Sequence, residues 1–137
     1  MLRKTSTSTI DQTRILGASP AEVYRAFADP RIHSAFTGAK ATGRARAGAR
    51  FTAWDGYIEG RTLVAEPGKR LVQEWKTTEW PDAAPASRLE LRFVRHPRGT
   101  KVHLRQSGIP RTQVAGYRKG WIEFYWRPLR AYLRAAE

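Results

Sequence analysis

The chain contains no cysteine. That excludes a disulfide framework and any cysteine-held zinc or iron–sulfur site. Histidine is scarce: His33, His96 and His103 are the only three, and their spacing converges on no metal. No phosphate-cradling glycine loop, dinucleotide fingerprint or nucleophile–base set appears. The expectation is therefore no catalytic residue, no metal and no cofactor. No run approaches the roughly 20 apolar residues of a membrane span. The first fifteen residues also lack the apolar core of a secretory signal. A cytoplasmic protein without a membrane partner is expected.

Acidic residues are few as well: 12, against 25 basic ones, for a net charge of +13 over 137 residues. Hydrophobic residues make up 41% of the chain, enough for a folded core. The length fits one domain, expected over residues 9–137 after a disordered tip at 1–8.

The punctuation is informative. Thr9–Leu16 reads as a first strand. Ser19-Pro20-Ala21-Glu22 is a capping box with proline at the first helical position. Asp29-Pro30 repeats the start signal for a second short helix, which Gly38 ends. Extended segments follow at 41–46, 49–54, 57–65, 70–77, 87–95 and 100–107, separated by turns at Gly48, Asp55-Gly56 and Pro67-Gly68. If His96-Pro97-Arg98-Gly99 is a hairpin loop, Phe93 faces Val102, Leu91 faces Leu104 and Leu89 faces Gln106, with Glu90 set against Arg105 outside. From Gln113 to Ala135, apolar residues recur at helical spacing, and Pro128 predicts a kink.

One strand, two short helices, about six more antiparallel strands and one long helix leave a curved sheet with a face to cover. Only the last helix is long enough to cover it. The expected architecture is an α+β helix-grip fold of six to seven strands, with a cavity between sheet and helix.

Eight segments in this order resemble a known family. They are Phe36-Thr37-Gly38-Ala39; Gly48 with Phe51; Asp55-Gly56-Tyr57-Ile58-Glu59-Gly60; Val72-Gln73-Glu74-Trp75; Trp80-Pro81; Gly99-Thr100; Ser107-Gly108-Ile109-Pro110; and Gly120-Trp121 with Tyr125, Pro128 and Leu129. The pattern is similar to that of single-domain proteins related to the C-terminal domain of the activator of heat-shock protein 90 ATPase, in the START-like (SRPBCC) superfamily. The resemblance implies a helix-grip fold and a binding rather than a fixed enzymatic role.

On that fold, alternation turns Gln73 and Gln106 toward the apolar inner face. Buried amides need partners. They either orient a ligand's polar group or bond to backbone, water or each other. The candidate lining for an apolar or aromatic small molecule is Phe36, Gln73, Trp75, Leu91, Leu104, Gln106, Trp121 and Tyr125. Asp55 reads as a turn residue and Glu59 as an arginine's cross-strand partner.

The positive charge is concentrated late: residues 88–134 hold 12 basic and 2 acidic side chains. Arg92, Lys101, His103 and Arg105 are placed on the outer sheet face. Arg127, Arg130 and Arg134 form a helical stripe, its start tethered by a Glu123–Arg127 pair. This surface suits an acidic protein partner, such as a heat-shock protein 90-type chaperone, or is simply solvated. Nucleic acid is not expected, because the aromatics lie on apolar faces rather than among the basic ones. A cyclase- or aromatase-type enzyme is a further alternative. It needs a titratable group inside the cavity, for which the sequence offers His33 or Glu74.

Overall fold

A computed structural model describes residues 6–135. The expected tip at residues 1–5 lies outside them, whereas Thr7 and Ser8 already belong to the first strand. The elements are β1 (Thr7–Leu16), α1 (Pro20–Ala28), α2 (Pro30–Thr37), β2 (Arg50–Ala53), β3 (Ile58–Glu66), β4 (Arg70–Thr77), β5 (Ser87–His96) and β6 (Gly99–Pro110). A C-terminal helical segment follows, made of α3 (Val114–Trp121), a π turn (Ile122–Trp126) and α4 (Arg127–Ala135). The strands form one antiparallel sheet in the order β1-β6-β5-β4-β3-β2. This is the helix-grip arrangement, with six strands.

The caps act as their sequence demands. Ser19 accepts from the Glu22 amide at 3.2 Å, and Glu22 reaches back to Ser19. Asp29 caps α2 through the Arg31 amide at 2.9 Å, and Gly38 closes it with φ 77°. The β5–β6 register is the expected one: Leu89↔Gln106, Leu91↔Leu104 and Phe93↔Val102. Pairing extends to His96↔Gly99, so only Pro97 and Arg98 turn the chain.

Three expectations are corrected. The stretch 41–46 is not a strand. It makes a single bridge, Thr42↔Thr52. Gly43 follows at φ 85° and turns the chain away, so the Ala45 amide bonds to the Ala28 carbonyl instead. The C-terminal irregularity lies in the turn ahead of Pro128, where a proline ring crowds the carbonyl four residues back. There the Arg127 amide bonds to Ile122, five residues earlier. Finally, Glu90 sits opposite Arg105 in register but its carboxylate binds Arg70 at 2.6 Å and Arg92 at 3.1 Å, while Arg105 pairs with Asp11 at 2.9 Å.

The inner sheet face and the helices share one core. Phe27 of α1 meets Phe36, Phe93, Tyr125 and Trp126 at ring-centroid distances of 6.1–6.3 Å. Two indole–amide bonds seat the C-terminal helix. Trp121 donates to Gln106 at 2.8 Å, and Trp126 donates to Gln12 at 2.7 Å.

Gly60 sits where β3 passes closest to its neighbours. A Cβ there would overlap the Glu74 carbonyl oxygen and meet the Phe51 ring at 2.9 Å. Gly60→Ala is expected to lower unfolding free energy by at least about 2 kcal/mol through overpacking. A chemical-denaturation midpoint equal to wild type would refute this close approach.

Candidate functional site

The C-terminal helix does not close on the sheet along its whole length. At its α3 end a cleft of about 590 Å³ opens between α3, the Trp54–Tyr57 loop and the ends of β3 and β4. Its walls are chiefly aromatic: Trp54, Tyr57, Trp75, Tyr117, Trp121, Phe124 and Tyr125. Gly116 and Gly120 contribute the helix surface between them. A Cβ on Gly116 would meet nothing within 4 Å. Each glycine costs a helix interior about 1 kcal/mol relative to alanine. Here the missing side chains are what leaves the space.

The walls brace one another edge-on. Trp54 meets Phe124 at 5.6 Å, and Trp75 meets Tyr117 at 5.4 Å. Trp121 lies 4.6 Å from Tyr125. Trp54 and Asp55 both adopt left-handed backbone, with φ of 53° and 57°. That is a strained conformation for a tryptophan. The loop is held by the Lys40 amide donating to Asp55 Oδ1 at 3.0 Å, so the strain fixes an indole at the mouth.

A polar corner faces these rings. Tyr57 donates its phenol proton to Glu79 Oε2. Tyr117 Oη accepts from Trp80 Nε1 at 2.9 Å, and Gln113 Oε1 accepts from Tyr117 at 2.8 Å. Burial and the adjacent Glu79 carboxylate raise the Tyr57 phenol above its ordinary value of 10. It therefore stays a donor.

Behind the cleft, His33 and Tyr125 form a second polar pair. His33 Nδ1 lies 3.3 Å from the Phe27 carbonyl, which can only accept, so Nδ1 carries the proton. Nε2 is then the acceptor for the Tyr125 hydroxyl at 3.0 Å. Burial lowers the His33 pKa below 6.5, and the Phe27 bond only partly opposes it. Burial also raises the Tyr125 phenol.

Of the candidate lining, Trp75, Trp121 and Tyr125 border the cleft. Gln73 borders a neighbouring void of only about 20 Å³ and donates to Thr62 Oγ1 at 3.1 Å. Gln106 is wholly buried, donates to Ser87 Oγ at 3.0 Å and accepts from Trp121. Leu91, Leu104 and Phe36 are packed core and border neither space. His33 faces the small void, and Glu74 is exposed. Sequence reasoning passed over Glu79, Tyr57, Tyr117 and the glycine pair. The available signal was Gly116 and Gly120 four apart on a helix face that also carries Tyr117 and Phe124.

The basic residues fall into two regions. Arg92, Lys101, His103 and Arg105 lie on the outer sheet face, where Arg92 and Arg105 are engaged by Glu90 and Asp11. Arg127, Arg130 and Arg134 instead join Arg14 of β1 around a groove of about 240 Å³ floored by Ile122 and Trp126. None of these four arginines has an acidic partner among the described residues. Glu123 pairs with Lys119 at 3.8 Å rather than with Arg127. Burial alone would raise the Glu90 carboxyl, but the bond from Arg70 and the charges of Arg92, Arg70 and Arg88 outweigh it and hold the pKa below 4.5.

A six-stranded antiparallel sheet gripping a C-terminal helix, with an aromatic cleft at one end, defines a START-like helix-grip domain. The chain belongs to the family described as Activator of Hsp90 ATPase homolog 1-like protein, which matches residues 17–134. It is 31% identical over 112 residues to the activator of 90 kDa heat shock protein ATPase homolog 1 of Homo sapiens, an alignment spanning 82% of this chain and 33% of that protein. The chain thus covers about a third of the length of this relative. A solved structure from Mesorhizobium loti superposes with a TM-score of 0.82 at 24% identity, over 95% of this chain and 99% of that one. An HSP90 activator from Plasmodium falciparum superposes with a TM-score of 0.81 at 19% identity, over 93% and 95%. No helix of the described residues is long and apolar enough to cross a membrane.

The His33 arrangement makes stability pH-dependent. The folded state favours neutral imidazole, so the unfolded chain binds the proton more readily. The contribution is complete above about pH 6.5 and is lost as pH falls through the window between that value and the lower folded-state pKa. Denaturation midpoints measured from about pH 7.5 to 5 should fall less steeply in His33→Gln than in wild type. Parallel curves would remove His33 from this role.

Proposed function

We propose that this protein binds an apolar or aromatic small molecule in the α3 cleft and acts as a carrier or sensor of it rather than as a committed enzyme. The observation that carries the reading is the Gly116/Gly120 gap. A helix that needed only to pack would gain stability from side chains at these two positions, yet it keeps a 590 Å³ aromatic-walled space open. That volume lies within the range of small-molecule sites, roughly 300–1,000 Å³, and the walls match their usual apolar character with a few polar groups. Trp75, Trp121 and Tyr125 supply the inner wall. Trp54 and Phe124 supply the lip, where Phe124 remains 52% exposed.

A second reading, docking of an acidic protein surface, is favoured by the arginine groove at Arg14, Arg127, Arg130 and Arg134 together with membership of the chaperone-activator family. Under it, association with a heat-shock protein 90-type chaperone weakens with added salt, and mixing changes the chaperone's ATPase rate at low salt. An unchanged rate at low salt counts against it.

The ligand reading is tested with a neutral fluorescent probe, N-phenyl-1-naphthylamine, and with native mass spectrometry of the purified protein for a co-purifying apolar species. Gly116→Leu projects a side chain into the cleft and improves helix propensity. It should leave the melting temperature unchanged or raised while weakening probe binding about tenfold or more. Equal binding by Gly116→Leu and wild type would sink the proposal.

A further inference from the structure

The cleft contains one charged side chain, and its sign is opposite to that of the protein. The chain carries 25 basic residues against 12 acidic ones, yet among the described residues Glu79 is the only charged one along the cleft wall. Its Oε2 accepts from Tyr57 and lies 3.3 Å from Tyr117 Oη. Its Oε1 has no protein partner among the described residues, and no lysine or arginine there pairs with it. The Tyr57 bond orients the carboxylate without neutralising it. The walls around it are aromatic rings, a class of side chain whose π faces attract cations.

We propose that the cleft selects an organic cation: an aromatic or apolar molecule bearing a quaternary or protonated amine, its apolar body against Trp75 and Trp121 and its positive group toward Glu79 and the rings of Tyr57 and Trp54. This rests on the ligand-binding reading above and names the ligand's class.

The chemistry favours this over a neutral or anionic ligand. Leaving a positive group in an apolar site is costly unless it is paired. A quaternary nitrogen keeps little of that cost, because its hydration is weak and the rings and carboxylate replace it. An anion would meet the uncompensated Glu79 charge. The net +13 does not override this, because no lysine or arginine among the described residues lines the cleft or pairs with Glu79, and exposed charges beyond about 10 Å are largely screened at 0.1 M salt.

A matched pair of probes separates the possibilities: 2-(2-naphthyl)ethyltrimethylammonium, and its neutral analogue with a quaternary carbon in place of nitrogen. Without cation recognition the neutral analogue binds better, since it pays no desolvation of charge. Titration by tryptophan fluorescence should instead show the cation binding about tenfold more tightly. Glu79→Gln keeps an acceptor for the Tyr57 phenol and lies on an exposed residue, so the fold is retained. It should reduce the preference to about threefold or less. Saturable binding of the neutral analogue with no cation preference would overturn the cation assignment and leave the cleft as a ligand site. A preference undiminished in Glu79→Gln would overturn it also. Binding of neither probe would overturn both this assignment and the ligand-binding reading beneath it.

Discussion

Two indole–amide hydrogen bonds hold this architecture to one geometry. Trp121 and Trp126 are five residues apart. On an unbroken α-helix such residues point about 140° away from each other. They cannot then both reach glutamines on one sheet face. The π turn over Ile122–Trp126 resolves the conflict, because its wider loop brings residues five apart toward the same side. The two indoles lie 6.4 Å apart, each donating to a glutamine, one on β6 and one on β1. Gln12 also donates to the Arg118 carbonyl at 3.0 Å, anchoring the turn that precedes Trp121. With the helix pinned there, its α3 end stands away from the sheet, and the paired glycines keep that end open.

Charge is arranged to suit this frame. On the outer sheet face the few acids are shared among many arginines: Glu90 serves Arg70 and Arg92, and Asp11 serves Arg105. Four arginines without an acidic partner among the described residues, Arg14, Arg127, Arg130 and Arg134, meet at one groove on the helix side. Among the described residues, no basic one lines the cleft. One molecule therefore presents a strongly positive groove and an aromatic cleft with a single negative group, and the two surfaces suit different partners.

Much of the fold was legible because its signals are local. Ser19-Pro20 with Glu22, Asp29-Pro30 and Gly38 bound their helices through contacts within four residues. Strict alternation fixed the β5–β6 register, since a one-residue slip would turn Leu89, Leu91 and Phe93 to solvent. The site was less legible. Gln73 and Gln106 stood out as buried amides, but burial alone does not say what they bond. Gln106 is claimed by Ser87 and Trp121, and Gln73 by Thr62. Glu79 carried no signal, because nothing in its neighbourhood along the chain shows that Tyr57 donates to it and that Tyr117 lies beside it. His33 stood only as a titratable candidate for the same reason: its partner Tyr125 is 92 residues away.

The sequence by itself determined the helix caps, the hairpin register, the sheet-and-helix order and the family, all of which rest on short-range stereochemistry and on apolar periodicity. Tertiary structure alone decided where the space is. A cavity is the volume that side chains fail to fill, and filling depends on which distant surfaces meet. The same chain that packs Leu91 and Leu104 solid beneath the helix leaves Gly116 facing open space and Gly120 facing only the Phe124 ring. The anchoring of the helix at Trp121 and Trp126 and the glycines at its α3 end together separate the two outcomes.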